Sequence, residues 1–453
     1  MEGANIKRIS IGLLVVILLL MNGCYGEKPV LAPLKDGKGK LRVVYDDEDQ
    51  FFNDYGDYFQ FLYPDIEIEV VSTTNLFTIQ NNVMDRSDQK MEQFIKENKP
   101  DVLFLNEELF DNFLHTGLLY SLDEIMKQEQ YDLSGFMPGV IESLRDIGGG
   151  KLYGLAPFFS TFVLYYNEDL FKSNHVDLPN DKMTWPEVLQ LAARFGQPAS
   201  EGRTGQYGLS FGYTNAHLLF GEIAKASTLQ LTDPTGSKLQ IHSDSWKQIM
   251  IMTVDAIRSG AVFTDQASQA LKISGEDAFY QDKSAMLLTG LSVANELERR
   301  QINTDMKQMN WGMVTAPINP NYPEESTNAH LEEICAIPAD SVNKRAAWEF
   351  IKFMNSKELA KSAPDMRPPK LPTRMQYMKK WKGRSTEPLY ALKLNSHHRF
   401  IWDNQRVPME LNSALTPLLR DGLQAVLANG KSIDELLDEL QVKGQEALDK
   451  MKQ

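Results

Sequence analysis

Gly150 to Phe195 reads GKLYGLAPFFSTFVLYYNEDLFKSNHVDLPNDKMTWPEVLQLAARF, and the local structure it dictates decides the fold class. Thr161 to Tyr166 is a continuous β-branched and aromatic run, short enough for a buried strand rather than a helix. Asn167 follows as an N-cap, and Glu168 and Asp169 place negative charge in a first helical turn, where the helix dipole favours it. Beyond the Pro179–Asn180 loop, Thr184 and Glu187 have capping-box spacing and Pro186 sits in the first turn. Val188, Leu191, Ala192 and Phe195 then form one apolar stripe. A buried strand, a short helix and a capped amphipathic helix in succession predict an α/β protein.

The same alternation runs outward in both directions. Leu41 to Tyr45 reads as a strand, Phe51 to Tyr63 has helical spacing, and Ile66, Ile68 and Val70 alternate with Glu67 and Glu69 as a strand would. Residues 81–99 are helical in bias, and Pro100–Asp101 leads into a strand from Val102 to Leu105. Parallel strands with helical crossovers place ligands at the carboxyl ends of the strands, so the loops after Tyr45 and Leu105 are expected at a cleft. Further on, strands are predicted at Tyr207–Phe211 and Ala285–Thr289. Helices are predicted near 215–226, 245–259, 274–281 and 346–354, and a last one is capped by Ser432 and Glu435. No fixed-period repeat is visible.

At 453 residues the chain has room for two or three domains. Lys7 and Arg8 precede an apolar run, Ile9 to Met21, of signal-peptide rather than membrane-spanning length, and Gly23–Cys24 follows directly. This arrangement resembles the lipobox of bacterial lipoproteins and implies a chain that is exported, cleaved and acylated at Cys24. An uncleaved anchor or simple secretion is the alternative. Residues 24–40 then read as a lipidated tether. Cys335, the only other cysteine, sits in an apolar context and is expected in a buried strand, so no intramolecular disulfide is expected. Removing residues 1–23 takes away Glu2, Lys7 and Arg8, which moves the formal charge from −14 to −15. That balance argues against nucleic acid as a partner.

Several motifs carry chemistry on paper. Gly208–Leu209–Ser210–Phe211–Gly212 satisfies the nucleophile elbow of α/β-hydrolases, but the segment upstream of it is polar and flexible where a buried strand is needed. A serine hydrolase using Ser210 is therefore the enzyme alternative. Gly430–Lys431–Ser432 lacks the upstream glycine of a phosphate-binding loop, where Ala425 stands. His397–His398 lacks a second pair of zinc ligands, and Asp46 to Asp49 lacks calcium-loop spacing, so no metal is expected.

The central stretch resembles the extracellular solute-binding proteins of ABC importers, the group that includes maltose- and oligosaccharide-binding proteins. The resemblance rests on Gly150–Lys151–Leu152–Tyr153–Gly154, Tyr165–Tyr166–Asn167, Asp169–Leu170–Phe171 and Thr184–Trp185 with Glu187. AFYQDKSAMLLTG at Ala278–Gly290, Asn310–Trp311–Gly312, AAWEFIKFM at Ala346–Met354 and Leu371–Pro372–Thr373–Arg374 extend it. It implies two lobes of the type II periplasmic-binding-protein-like fold, each a mostly parallel sheet flanked by helices. The implied division is 41–158 plus 313–358 against 159–312 plus 359–453.

It also implies a cleft. Glu48, Asp49, Asn106, Glu108, Ser160, Tyr213, Asn215, Ser292 and Trp311 are the ligand-binding candidates carried over, with Trp402 as a further ring. Leu105 and Ser292 stand where stacking aromatics would be, so maltose itself is an unexpected ligand. The resemblance implies capture of a carbohydrate, an oligosaccharide first, and its delivery to an ABC permease. The protein would act as a monomer anchored on the extracytoplasmic face, without catalysis or cofactor. A ligand-sensing surface ectodomain is the third alternative.

Overall fold

In the computed structural model, β-branched and aromatic runs form strands and the amphipathic runs between them cover the resulting sheets. It describes residues 30–74, 76, 79–80, 83–84, 88–196, 205–212, 216–303, 308–381, 383–394 and 409–450. The N-terminal apolar run, Cys24, Tyr213, Asn215, His397, His398 and Trp402 lie outside these residues.

Twelve strands build the three main sheets. In chain order they begin with β1 (Gly39–Tyr45), β2 (Ile66–Ser72), β3 (Leu103–Leu105), β4 (Gly154–Leu155), β5 (Phe158–Ser160) and β6 (Val163–Asn167). They continue with β7 (Tyr207–Phe211), β8 (Ser284–Thr289), β9 (Trp311–Thr315), β10 (His330–Glu332), β11 (Ile334–Ala336) and β12 (Leu371–Pro372).

In the first lobe β1 pairs in parallel with β2, and Val43 bridges to Val102 just before β3. β11 pairs antiparallel with both β3 and β4. The second lobe's sheet has the order β9-β6-β8-β7, in which β7 and β8 are parallel and β6 runs against both its neighbours. Each sheet is thus mostly parallel with one reversed strand. Both reversed strands, β6 and β11, directly follow a strand of the third sheet, β10-β5-β12. That third sheet is the crossing between lobes, because β5 lies between β4 of one lobe and β6 of the other.

The core forms two apolar clusters, the first of which also takes in Tyr165, Leu287 and Trp311 of the second sheet. Phe51, Phe59, Phe110, Trp348 and Phe350 are fully buried in one cluster, and Phe171, Phe195, Phe220 and Trp246 in another. The second core is closed by the helices Met409–Leu427 and Ile433–Lys450, through Leu415, Leu419, Leu436 and Leu440. Cys335 is buried within β11, and burial pushes its thiol pKa well up.

Three local differences from the sequence reading matter for function. The strand expected over Thr161–Tyr166 is β6, which starts two residues later at Val163, and Thr161–Phe162 links it to β5 where the chain leaves the crossing sheet. The helix expected from Phe51 begins at Glu48, because the Asp47 side chain accepts from the Gln50 N–H at 3.1 Å and caps it. The return crossing expected at residue 313 comes later: β9 lies whole in the second sheet, and the Ile318 N–H still donates to the Met183 carbonyl at 2.9 Å.

Candidate functional site

Strand ends from both lobes lie beside the crossing sheet, that of β3 through Glu107 and that of β8 against Thr161–Phe162. At the end of β1 the chain is pinned through Asp46, whose carbonyl accepts from Ser72 Oγ at 2.7 Å and Thr74 Oγ1 at 2.6 Å, while its carboxylate accepts from Thr73 Oγ1 at 3.1 Å. Glu48 and Asp49 therefore project, exposed, from a first helical turn rather than from a free loop.

At the end of β3, Asn106 caps the helix Glu107–His115 by accepting from the Leu109 N–H at 2.8 Å. Its neighbour Glu107 accepts from the Leu331 N–H of β10 at 2.6 Å. This contact, absent from the sequence reading, seats the helix start, with Glu108 in its first turn, against the crossing sheet.

The crossing sheet has a closed face and a half-open one. Phe159, Leu331 and Leu371 are buried on one side. On the other, strand register sets His330 opposite Ser160 and Glu332 opposite Phe158, and Ser160 Oγ donates to Glu332 Oε1. Just outside the sheet, Glu333 accepts from both Tyr55 and Lys370, and the Lys370 ammonium lies 5.0 Å from the centre of the Phe158 ring. Burial first, and then the Glu333 charge, pushes the Tyr55 pKa far up, so the phenol stays a proton donor.

In the second lobe the end of β8 lies beside Thr161–Phe162. Tyr165 Oη donates to the Gly290 carbonyl at 3.2 Å, and a Cβ on Gly290 would lie 3.9 Å from the half-buried Phe162 ring. Ser292 is exposed at the start of the helix Ser292–Ile302. Near the end of β7, the Glu276 carboxylate approaches Gly212, where an added Cβ would meet Oε1 at 3.3 Å and Thr289 Oγ1 at 3.2 Å. Burial, then the charges of Asp277 and Glu296, raise the Glu276 pKa.

Of the candidates from sequence, Asn106, Glu108, Ser160 and Ser292 lie at these strand ends, with Glu48 and Asp49 at the first-lobe rim. Trp311 does not join them. It is 2% exposed, its ring packs against Tyr165, and the Arg384 guanidinium covers it at 3.9 Å from the ring centre. Arg374 is likewise engaged, holding the Asn355, Ser134 and Asp132 carbonyls. The site residues missed from sequence are Glu107, Phe162, His330 and Glu332. Among the described residues no group of acidic, His or Cys side chains could hold a metal ion.

Ser210 is no nucleophile in this fold. It lies fully buried within β7, opposite Leu287, and its Oγ donates to the Met286 carbonyl at 3.3 Å. An elbow serine has to stand exposed beyond the strand end.

Comparison with known proteins agrees with this geometry. The sequence profile of the family described as bacterial extracellular solute-binding protein matches residues 45–361. The chain belongs to that family. Among solved structures, this solute-binding protein is similar in fold to a sugar transporter of Rhizobium etli in an open conformation, at 18% identity and a TM-score of 0.66, covering 90% of this chain and 99% of that one. It is similar to the sugar-binding protein MalE of Xanthomonas citri at 18% identity and a TM-score of 0.64, covering 91% and 98%. It also matches an ABC transporter solute-binding protein of Agrobacterium vitis with bound D-mannitol at 17% identity and a TM-score of 0.56, covering 91% and 99%. The two-lobed type II architecture is common to them. No helix among the described residues of this solute-binding protein is long and apolar enough to cross a membrane.

Proposed function

We propose that this chain is the capture component of an ABC importer, and that it takes a carbohydrate, an oligosaccharide or a related sugar or polyol, between its lobes and hands it to a membrane permease. The observation that carries the reading is the meeting of strand ends from both lobes beside one half-open, polar crossing sheet at Ser160, His330 and Glu332. With that floor on one side and Ser292 at the second-lobe rim on the other, a solute between the lobes has hydrogen-bond partners on both sides of a hinge, so binding favours closure by its differential affinity for the closed state. That the fold relatives include a sugar transporter, a sugar-binding protein and a protein with bound D-mannitol supports the solute class.

The lobes in this reading are 41–158 with the return segment up to about 358, and 159–318 with the C-terminal helices, the segment around 371–394 lying between them. Acylation of Cys24 would hold the body as a monomer at the extracytoplasmic face, which phase partition into detergent, lost on Cys24→Ser, would reveal.

Thermal unfolding against maltotriose, D-glucose and D-mannitol tests the reading. A ligand that binds only the folded chain stabilises it by about 2.7 kcal/mol at a hundredfold excess over Kd, and the midpoint rises. A flat midpoint for all three would remove carbohydrate as the solute. A sensing ectodomain would show the same rise, and the two are separated by whether a permease or a sensor kinase co-purifies.

A further inference from the structure

On the half-open face of the crossing sheet stand two hydrogen-bond acceptors whose partners within the protein leave capacity to spare. Ser160 Oγ–H donates to Glu332 Oε1, which fixes the carboxylate's orientation, while Oε2 takes no hydrogen bond among the described residues. His330 Nδ1 lies 3.3 Å from the Asn328 carbonyl. A carbonyl only accepts, so in the neutral imidazole Nδ1 carries the proton and Nε2 presents a lone pair. Nε2 lies 4.0 Å from Glu332 Oε1, and the two side chains are 43% and 36% exposed. The strand register sets Ser160 and His330 directly opposite and on one face, so these atoms share a small area at the junction of the lobes.

We infer that Glu332 and His330 form a donor-reading subsite on the cleft floor, which accepts a pair of ligand hydroxyl groups and rejects solutes that bring negative charge to that place. An ionised carboxylate is an acceptor alone, and so is Nε2 in this tautomer, so a ligand there has to supply protons. Hydroxyl pairs do so, whereas a sugar acid or a phosphorylated sugar sets like charge against Glu332. Lobe closure strengthens both effects by excluding water from a half-buried position. The serine is a positioning residue: its proton is given to Glu332 and not to His330, so the trio has the composition of a hydrolytic triad without its connectivity. Among the described residues no lysine or arginine pairs with the Glu332 carboxylate, and Lys370 is taken up by Glu333 and Tyr55.

The subsite rests on the solute-capture reading above, and calorimetric titration of the purified full-length chain separates the two. Maltotriose and D-mannitol serve as neutral probes and D-gluconate as the anionic one. The wild type is expected to bind a neutral probe and to discriminate against gluconate. Glu332→Gln is expected to weaken neutral binding by about tenfold to a hundredfold, the worth of a hydrogen bond to a charged group, and to narrow the preference over gluconate. His330→Leu, at a half-exposed position, is expected to weaken neutral binding too and serves if Glu332→Gln fails to fold. Ligand-free unfolding midpoints equal to wild type mark the loss as one of binding. Neutral binding within twofold of wild type in both variants overturns the subsite while leaving capture standing, and so does gluconate bound as tightly as the neutral probes. A wild type that binds no probe overturns the carbohydrate reading and the subsite with it.

Discussion

A Cβ built on Gly208 would lie 2.0 Å from the Ala192 carbonyl oxygen, because the helix Trp185–Ala193 is laid directly across the start of β7. The glycine of the apparent nucleophile elbow thus serves a close strand–helix approach, and the serine two residues on is sealed beneath it. Gly208→Ala is expected to cost about 1–3 kcal/mol, the usual range for overpacking, read as a lower denaturant midpoint with an unchanged slope. Glu276 makes a second prediction at this scale. Its carboxyl holds its proton more tightly in the fold than in the unfolded chain, so stability falls as pH rises through the carboxylate range and the deficit is complete at neutrality. Glu276→Gln should therefore unfold at a higher temperature than wild type at neutral pH, and the difference should vanish below about pH 4, where both states of the wild type are protonated. A Gln variant no more stable than wild type at neutral pH would count against burial of that carboxyl.

At the scale of elements, the last helix shows how local signals set a boundary. The Ser432 N–H donates to Glu435 Oε2 at 2.7 Å, and the Glu435 N–H donates back to Ser432 Oγ at 3.2 Å, so the helix Ile433–Lys450 starts with two of its free donors satisfied. Ser432→Ala is expected to cost about 1 kcal/mol and to raise amide exchange in the first turn. Elements of this kind were legible from sequence: the helices at 244–258, 344–354 and 433–450 carry their apolar period, and the strand Ser284–Thr289 its continuous run of buried residues, within themselves. Asp47 and Gln50 also have capping spacing, so the helical placement of Glu48 and Asp49 could have been read. The crossing sheet could not. Its strands are two or three residues long, too short for a period, and the Ser160–Glu332 hydrogen bond joins residues 172 apart. Glu107, His330 and Glu332 acquire their roles only through that pairing, whereas Trp311 loses its expected one because Arg384 covers it.

At the scale of the whole molecule, the proposed closure requires the first lobe to grip the strands on which the second would turn. Glu333 directly follows β10 and Lys370 directly precedes β12, and the two side chains join each other and Tyr55, which is fully buried in the first core. Their side chains are 21% and 13% exposed, so the pair is largely desolvated, and it clamps both outer strands of the crossing sheet to one lobe. Under the proposed lobe closure, rotation of the other lobe would be absorbed beyond the clamp, around Thr161–Phe162 and after Ile318. Lys370→Met leaves a carboxylate buried beside a phenol without its cation, and is expected to cost about 3–5 kcal/mol. Lys370→Met combined with Glu333→Gln removes both charges at once, and should recover most of that loss, since an apolar or neutral replacement of a whole buried pair is often close to neutral. A double variant as unstable as the sum of the two single ones would mean that the residues act independently. The clamp would then be two separate packing contacts, and each crossing strand would be held by its own lobe contacts alone.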